Sequence, residues 1–210
     1  MATPHTLTID GYESQLAVNH LSHFLLLHLL LPTLLSSATP GFSSRAIFVS
    51  SLGHRTAGIN FSDPHFKTST YNPWAAYAQS KTANINTANH VERLYGGRGL
   101  HGLSLHPGGI STGLQVHVPE SVREGWKDNK EMSRSIKSAE QGAATTVWAA
   151  VGRELEGKGA LYLEDCSVSE PAPEACTFLD RGYKPWAFDE EAERRLWAVS
   201  CRMVGVPDAE

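Results

Sequence analysis

Cysteine is scarce in this chain, and so is any excess of charge. The three cysteines among 210 residues, Cys166, Cys176 and Cys201, are odd in number and lack metal-type spacing. That usage fits free thiols in a reducing compartment and argues against a disulfide framework. Ten histidines are present, yet no His-x-x-x-His or Cys-x-x-Cys occurs, so no metal site is expected. With 18 Lys plus Arg against 22 Asp plus Glu, the net charge of -4 offers no electrostatic footprint for nucleic acid. Long apolar runs are missing too: the longest, Phe24 to Leu31 extended by Pro32-Thr33-Leu34-Leu35, is interrupted by His28 and reads as a buried helix, not a membrane span. The first ten residues hold neither a basic nor an apolar signal region, so a cytoplasmic address is expected. What remains, 41% hydrophobic and 19% charged, is an ordinary globular composition in one domain, residues 1–210.

Along the chain, helices and strands alternate. Asp10 with Glu13 three positions on reads as a capping box opening a helix over 12–35, with Leu16, Leu21, Phe24, Leu25 and Leu29 along it and Pro32 kinking or ending it. Beyond Leu21 that helix is apolar nearly all round, which implies cover by a sheet and by a second copy of the chain. Ala46 to Ser50 is a buried strand ending at Ser50-Ser51. Residues 52–72 lack periodicity and form a long loop of the kind that usually serves function. Asn72-Pro73 then opens a helix that runs to Tyr95 and is stopped by Gly96-Gly97. Leu100 to Leu105 is a second strand, ending at His106-Pro107-Gly108. Polar residues 111–137 have the look of a mobile flap. Ser138 and Gln141 cap a helix from Ala139 to Val151, a third strand spans Ala160 to Leu163, and a last helix begins at Asp189. Such alternation predicts an α/β fold of right-handed βαβ units on a parallel sheet.

Within that frame the stretch Tyr77-Ala-Gln-Ser-Lys81 stands out. Positions i and i+4 share a helix face, so the phenol and the ammonium can enter one cleft. A tyrosine with its ordinary pKa of roughly 10 exchanges protons poorly near neutrality, and a nearby cation favours phenolate. Working groups in parallel sheets gather at the carboxyl ends of the strands. Those ends are Ser50-Ser51 and Pro107-Gly108, and the helix carrying Tyr77 and Lys81 joins them.

Four ordered segments resemble the short-chain dehydrogenases/reductases, specifically their retinol-dehydrogenase-like branch. They are Ala17-Val-Asn-His-Leu-Ser-His-Phe-Leu-Leu26, Arg45-Ala-Ile-Phe-Val-Ser-Ser51, Tyr77-Ala-Gln-Ser-Lys-Thr-Ala-Asn-Ile85 and His106-Pro-Gly-Gly-Ile-Ser-Thr112. The resemblance covers about residues 8–165, leaving 166–210 as a C-terminal extension. It implies the C-terminal portion of a Rossmann-like, doubly wound parallel sheet, and a catalytic tetrad at Asn19, Ser51, Tyr77 and Lys81. It further implies hydride transfer between NADP, or alternatively NAD, and a small apolar alcohol or carbonyl substrate. Tyr77 would act as general acid or base, and Lys81 would lower its pKa and hold the nicotinamide ribose. Ser51 would bond the substrate oxygen, and Asn19 would hold a relay water through its carbonyl. Pro107 and Gly108 would face the nicotinamide, and Thr112 would bind its carboxamide or the pyrophosphate. The resemblance leaves open whether a homo-oligomer forms, the helix 12–35 and the Tyr77 helix being those by which many members of the family dimerise. Duller roles compete: Asn19 as an interface polar group, Ser50-Ser51 as a strand-end cap, Thr112 as a loop residue. His20, His23, His28 and His106 read as structural.

A dinucleotide fold places a glycine-rich loop between its first strand and a helix N-terminus. Here no such strand precedes Asn19, and the resemblance puts that loop before the counterpart of Met1. Gly97-Arg-Gly99-Leu-His-Gly102 matches the letters but follows a helix and precedes a strand, the wrong order for a phosphate. The expectation is a truncated catalytic portion whose first strand has an open edge and whose solubility is marginal. A cofactor-free remnant acting as a protein-binding subunit is the alternative reading. A serine hydrolase is disfavoured because no G-x-S-x-G elbow occurs.

Overall fold

The computed structural model describes residues 1–208. Its frame is a four-stranded sheet of β1 (Ser44–Val49), β2 (Leu100–His106), β5 (Leu161–Glu164) and β6 (Ser167–Val168), in that order. β1, β2 and β5 are parallel, and β6 turns back antiparallel on β5 through Asp165 and Cys166, both at positive φ. A second, two-stranded parallel ribbon pairs β3 (Gly109–Ile110) with β4 (Ile136–Lys137). β2 lies in the middle and is buried from Leu100 through Leu105, as a strand covered on both faces must be. β1 is an edge strand of the described sheet.

Six helices surround these strands: α1 (Ser14–Ser37), α2 (Pro73–Tyr95), α3 (Glu120–Asp128), α4 (Lys130–Ser135), α5 (Ala139–Val151) and α6 (Glu190–Val204). On one face of the sheet, α1, α2 and α6 build the larger core from Phe24, Leu27, Ala88, Val91, Leu100 and Trp197. On the other, α5 packs Ala149 against Leu103, Leu105 and Leu163. Helices on both faces of a parallel sheet make the fold Rossmann-like and doubly wound. The central packing is close enough that a Cβ on Gly102 of β2 would lie 1.9 Å from the Ala88 carbonyl oxygen of α2. The C-terminal segment, expected as an extension, supplies the core's largest fully buried side chain, Trp197.

Several local signals were realised as written. Asn72 caps α2 by accepting from the Trp74 and Ala75 amides, and Ser138 and Gln141 form both halves of the capping box on α5. Others were not. The first helix starts at Ser14 because the buried Glu13 carboxylate, not Asp10, accepts from the Gln15 and Leu16 amides at 2.9 and 2.7 Å. Pro32 does not end it, since its position is exposed and the carbonyl left unpaired there can bond water. The resulting 24-residue helix has the length and apolarity of a membrane span, although its Phe24 and Leu27 pack into the core as in a soluble protein's helix. Its expected all-round cover is absent from the single chain: Leu26, Leu29 and Leu30 are 51%, 68% and 44% exposed. The flap is not structureless, because β3 and β4 tie its two ends together and α3 and α4 lie between them.

Candidate active site

Strand register brings the site together. Val49 pairs with Leu105, and the Ser50 amide donates to the Leu105 carbonyl at 2.7 Å, so the ends of β1 and β2 are level. Ser50 is buried, and its hydroxyl donates to the Lys81 carbonyl at 2.8 Å, pinning the end of β1 to α2. That bond commits Ser50 to structure and leaves the half-buried Ser51 as the serine that faces the cleft. Ser51 Oγ accepts from the Gly53 amide at 3.1 Å and opens the short 3₁₀ turn Leu52–Thr56. The Ser51 hydroxyl also acts on the Tyr77 phenol, drawing the pKa of that group down. Gly53 allows this approach: a Cβ there would lie 3.1 Å from Tyr77 Cε1 and 3.4 Å from Ser51 Oγ.

Electrostatics at the pair depart from expectation. Burial pushes the Tyr77 phenol above its ordinary value, and Ser51 pulls the other way. Burial also draws the Lys81 ammonium down, to about 8. Lys81 Nζ stands 5.8 Å from the centre of the Tyr77 ring and donates to the Val49 carbonyl at 3.1 Å. The predicted lowering of the phenol by Lys81 is therefore not the result here: at a ring only 5% exposed, loss of hydration outweighs the opposing influence of Ser51.

Asn19 lies in a π-helical turn, Ala17–Leu21, inserted into α1, a feature the sequence did not announce. Such turns widen a helix by one residue and recur at functional sites. Asn19 Nδ2 donates to Ser80 Oγ at 2.9 Å, and Ser80 Oγ donates to the Tyr77 carbonyl at 2.7 Å, so a continuous chain of bonds reaches the Tyr77 turn. The Asn19 carbonyl, expected to hold a water, has the His23 Nδ1 atom 3.3 Å away. A groove of about 460 Å³ runs from Asn19, Lys81 and Asn84 along the open side of β1 toward Leu27 and Leu30.

Pro107 and Gly108 follow the end of β2, with Gly108 at φ +98. Only the flexible end of Lys137, itself bonded to Asp165, crowds the place of a Cβ on Gly108. Thr112 is set apart on an exposed turn, where its hydroxyl accepts from the Leu114 amide at 3.3 Å. On the other side of α2's start, a cleft of about 400 Å³ is lined by Tyr71, Pro73, Trp74, His117 and Pro119. Trp74 meets Trp126 of the flap edge to face at 6.2 Å. In the Gly97-to-Gly102 stretch, Gly97 to Gly99 close the turn after α2 and Leu100 to Gly102 already belong to β2, as its order required. Among the described residues, no cluster of three or more His, Cys, Asp or Glu is arranged to hold a metal ion. Sequence reasoning missed His54, Gly53 and Ser80; the only written signal for His54 was its place one turn beyond Ser51.

A parallel sheet covered on both faces, with serine, tyrosine and lysine converging at its strand ends, defines a Rossmann-like α/β protein. Its relatives are short-chain dehydrogenases/reductases, a retinol dehydrogenase among them. It is 50% identical over 209 residues to the short-chain dehydrogenase/reductase prx1 of Penicillium roqueforti, covering 99% of this chain and 61% of that protein. Human retinol dehydrogenase 13 is 38% identical over 208 residues, 98% of this chain and 58% of the relative. Among solved structures, an uncharacterized protein of Mycobacterium paratuberculosis superposes with a TM-score of 0.68 at 30% identity, covering 98% of this chain and 64% of that one. The chain thus spans about three-fifths of the length of the curated relatives it matches. No family model matches the sequence.

Proposed function

We propose that this chain carries the catalytic groups of an NADP-dependent oxidoreductase that interconverts an apolar alcohol and its carbonyl compound. The carrying observation is the meeting of three groups at the strand ends: Gly53 lies against both the Tyr77 ring and the Ser51 hydroxyl, Ser51 draws the phenol's pKa down, and the Lys81 ammonium stands 5.8 Å from the centre of the same ring. In reduction, the Tyr77 hydroxyl gives its proton to the developing alkoxide, and in oxidation the phenolate removes it. Ser51 donates a hydrogen bond to that oxygen, where charge grows in the transition state. Lys81 spends one ammonium hydrogen on Val49 and retains others for the ribose hydroxyls and for drawing charge toward the phenolate. Asn19 and Ser80 hold the Tyr77 turn in place.

Tyr77 and Lys81 would hold the ribose of a dinucleotide's nicotinamide end, and Pro107 with Gly108, whose φ of +98 leaves the main chain open to a flat ring, would face the ring; Thr112, which would bind the carboxamide or pyrophosphate, lies apart from them on its exposed turn. When bound, the nicotinamide supplies or accepts the hydride. NADP is preferred to NAD from the family branch. The aromatic lining at Tyr71 and Trp74, with Trp126 packed against Trp74, suits an apolar substrate, and one relative is named for the apolar alcohol retinol.

Titrating the chain with NADPH, then following its oxidation by an apolar aldehyde, tests the reading. Tyr77→Phe should leave NADPH affinity intact and lower kcat by about 10²–10⁴-fold. Undiminished turnover by that variant would remove Tyr77 from the chemistry. A second reading, a cofactor-free remnant that pairs with another protein, is favoured by the open side of β1 and the exposed leucines of α1. Absence of NADPH binding at millimolar concentration would leave only that one.

A further inference from the structure

We propose that His54 is the positioning residue for the Ser51 hydroxyl, clamping the Ser51 peptide so that the hydroxyl meets the phenol; its part in turnover rests on the functional reading above. His54 is fully buried, and it reaches the Ser51 carbonyl twice, through its backbone amide at 3.1 Å and through ring Nδ1 at 2.7 Å. A carbonyl oxygen only accepts, so Nδ1 carries the hydrogen and, in the neutral ring, Nε2 is bare. The ring is held in turn: it packs edge-on against Tyr162 at 4.9 Å. Its residue's own carbonyl accepts from Trp186 Nε1 at 2.8 Å and Thr82 Oγ1 at 3.4 Å. Nε2 makes no hydrogen bond within the described residues. Burial keeps the imidazole neutral by lowering it to about 4, so the donor at Nδ1 is retained across the working range.

Two bonds from one residue to one carbonyl fix the plane of the Ser51–Leu52 peptide. With that plane fixed and Gly53 lying against the phenol ring, rotation about Ser51 is the remaining freedom, and the Gly53 amide closes it. His54 touches neither substrate nor cofactor in this scheme and acts only through the serine. Displacement of a reacting group by about 1 Å is enough to cost a hundredfold in rate.

Asparagine and glutamine separate the two ring nitrogens. In His54→Asn the side-chain amide N–H falls near the place of Nδ1 and can keep the bond to Ser51; in His54→Gln it falls near Nε2 and cannot. His54→Asn should hold kcat within about threefold of wild type, whereas His54→Gln should lose at least about tenfold in kcat with KM little changed. Adding Ser51→Ala to His54→Gln should cost no more than Ser51→Ala alone. Equal kcat for the two His54 variants at matched melting temperatures would overturn the proposal. A second readout needs no turnover: the ¹⁵N shifts of His54 should report an Nδ1–H tautomer that does not titrate between pH 5 and about 8. An Nε2–H tautomer, or protonation near the ordinary value, would overturn the clamp directly. A wild-type chain that reduces no aldehyde yet shows the Nδ1–H tautomer would count against the functional reading and not against the clamp.

Discussion

Helices α1 and α2 invert the usual relation between apolarity and burial. α1 is the most apolar helix of the chain, yet Gln15, Leu16, His20, Leu21, Phe24 and Leu27 are its only buried residues among 24. α2 is rich in asparagine, threonine and alanine, yet sixteen of its 23 residues are buried. Topology decides the matter: α2 connects β1 to β2 and must cross the sheet, whereas α1 lies beside the edge strand. Several of the buried polar side chains of α2 tie other segments to it through their donors. Gln79 bonds the Asn60 amide and the Pro64 carbonyl, which holds the long loop 52–72. Asn86 and Asn89 bond the Ala187 carbonyl, and Asn89 also bonds Glu193, which holds the C-terminal segment. Burying polar groups is tolerable when they are paired in this way.

The comparison can be broken at four places. Phe24 is wholly buried against Trp197 at 4.9 Å, so Phe24→Ala should destabilise by about 3–5 kcal/mol in chemical denaturation, the largest effect on α1. A smaller loss would mean that α1 is held by something other than this contact. Asn89→Ala removes two bonds at 2.9 Å and leaves the buried Glu193 to Arg93 alone, which should cost about 2–3 kcal/mol. If it proved neutral, the polar content of α2 would be incidental.

Acid should act through α1. His20 is buried against Ser200 and lowered from 6.5 to about 3 by loss of hydration. Below pH 6.5 the unfolded chain takes up a proton that the folded chain refuses. The stability contributed by the neutral ring is present above 6.5 and drains away as pH falls toward 3. Melting temperatures from pH 7.5 downward should decline accordingly, and His20→Gln should flatten that slope. Last, Leu29→Gln on the exposed face should change stability by less than about 0.5 kcal/mol. The same change should reduce concentration-dependent light scattering, which would fail to respond if the open side of β1, not α1, drives self-association.

Much of the fold was legible because its signals are local. Asn72-Pro73 and the Ser138/Gln141 box each state a helix start in adjacent residues, and the apolar runs before Ser50 and His106 state their strands. The meeting of Ser51 with Tyr77 and Lys81 was legible for a related reason, since Tyr77 and Lys81 share one helical turn and strand ends are predictable from alternation; their catalytic roles came from the resemblance alone. What escaped depends on distant partners. Glu13 displaces Asp10 as the cap in a pocket shared with Tyr71, which no neighbouring residue foretells. The β5–β6 hairpin turns through Asp165 and Cys166 at φ 51 and 53, without the glycine that usually marks a two-residue turn. The direction of the Tyr77 shift needed the depth of its burial, and His54 needed the fold of its turn. The π turn at Asn19 has no written signature at all.

The missing side chain of Gly102 has a last consequence. Where β2 meets α2 the two main chains touch, so the height of Tyr77 above the strand ends is set by peptide against peptide and cannot be adjusted by repacking. The cleft that holds Tyr77 therefore has a rigid datum, and a change in its shape has to come from the parts around it, the segment holding Trp126 foremost.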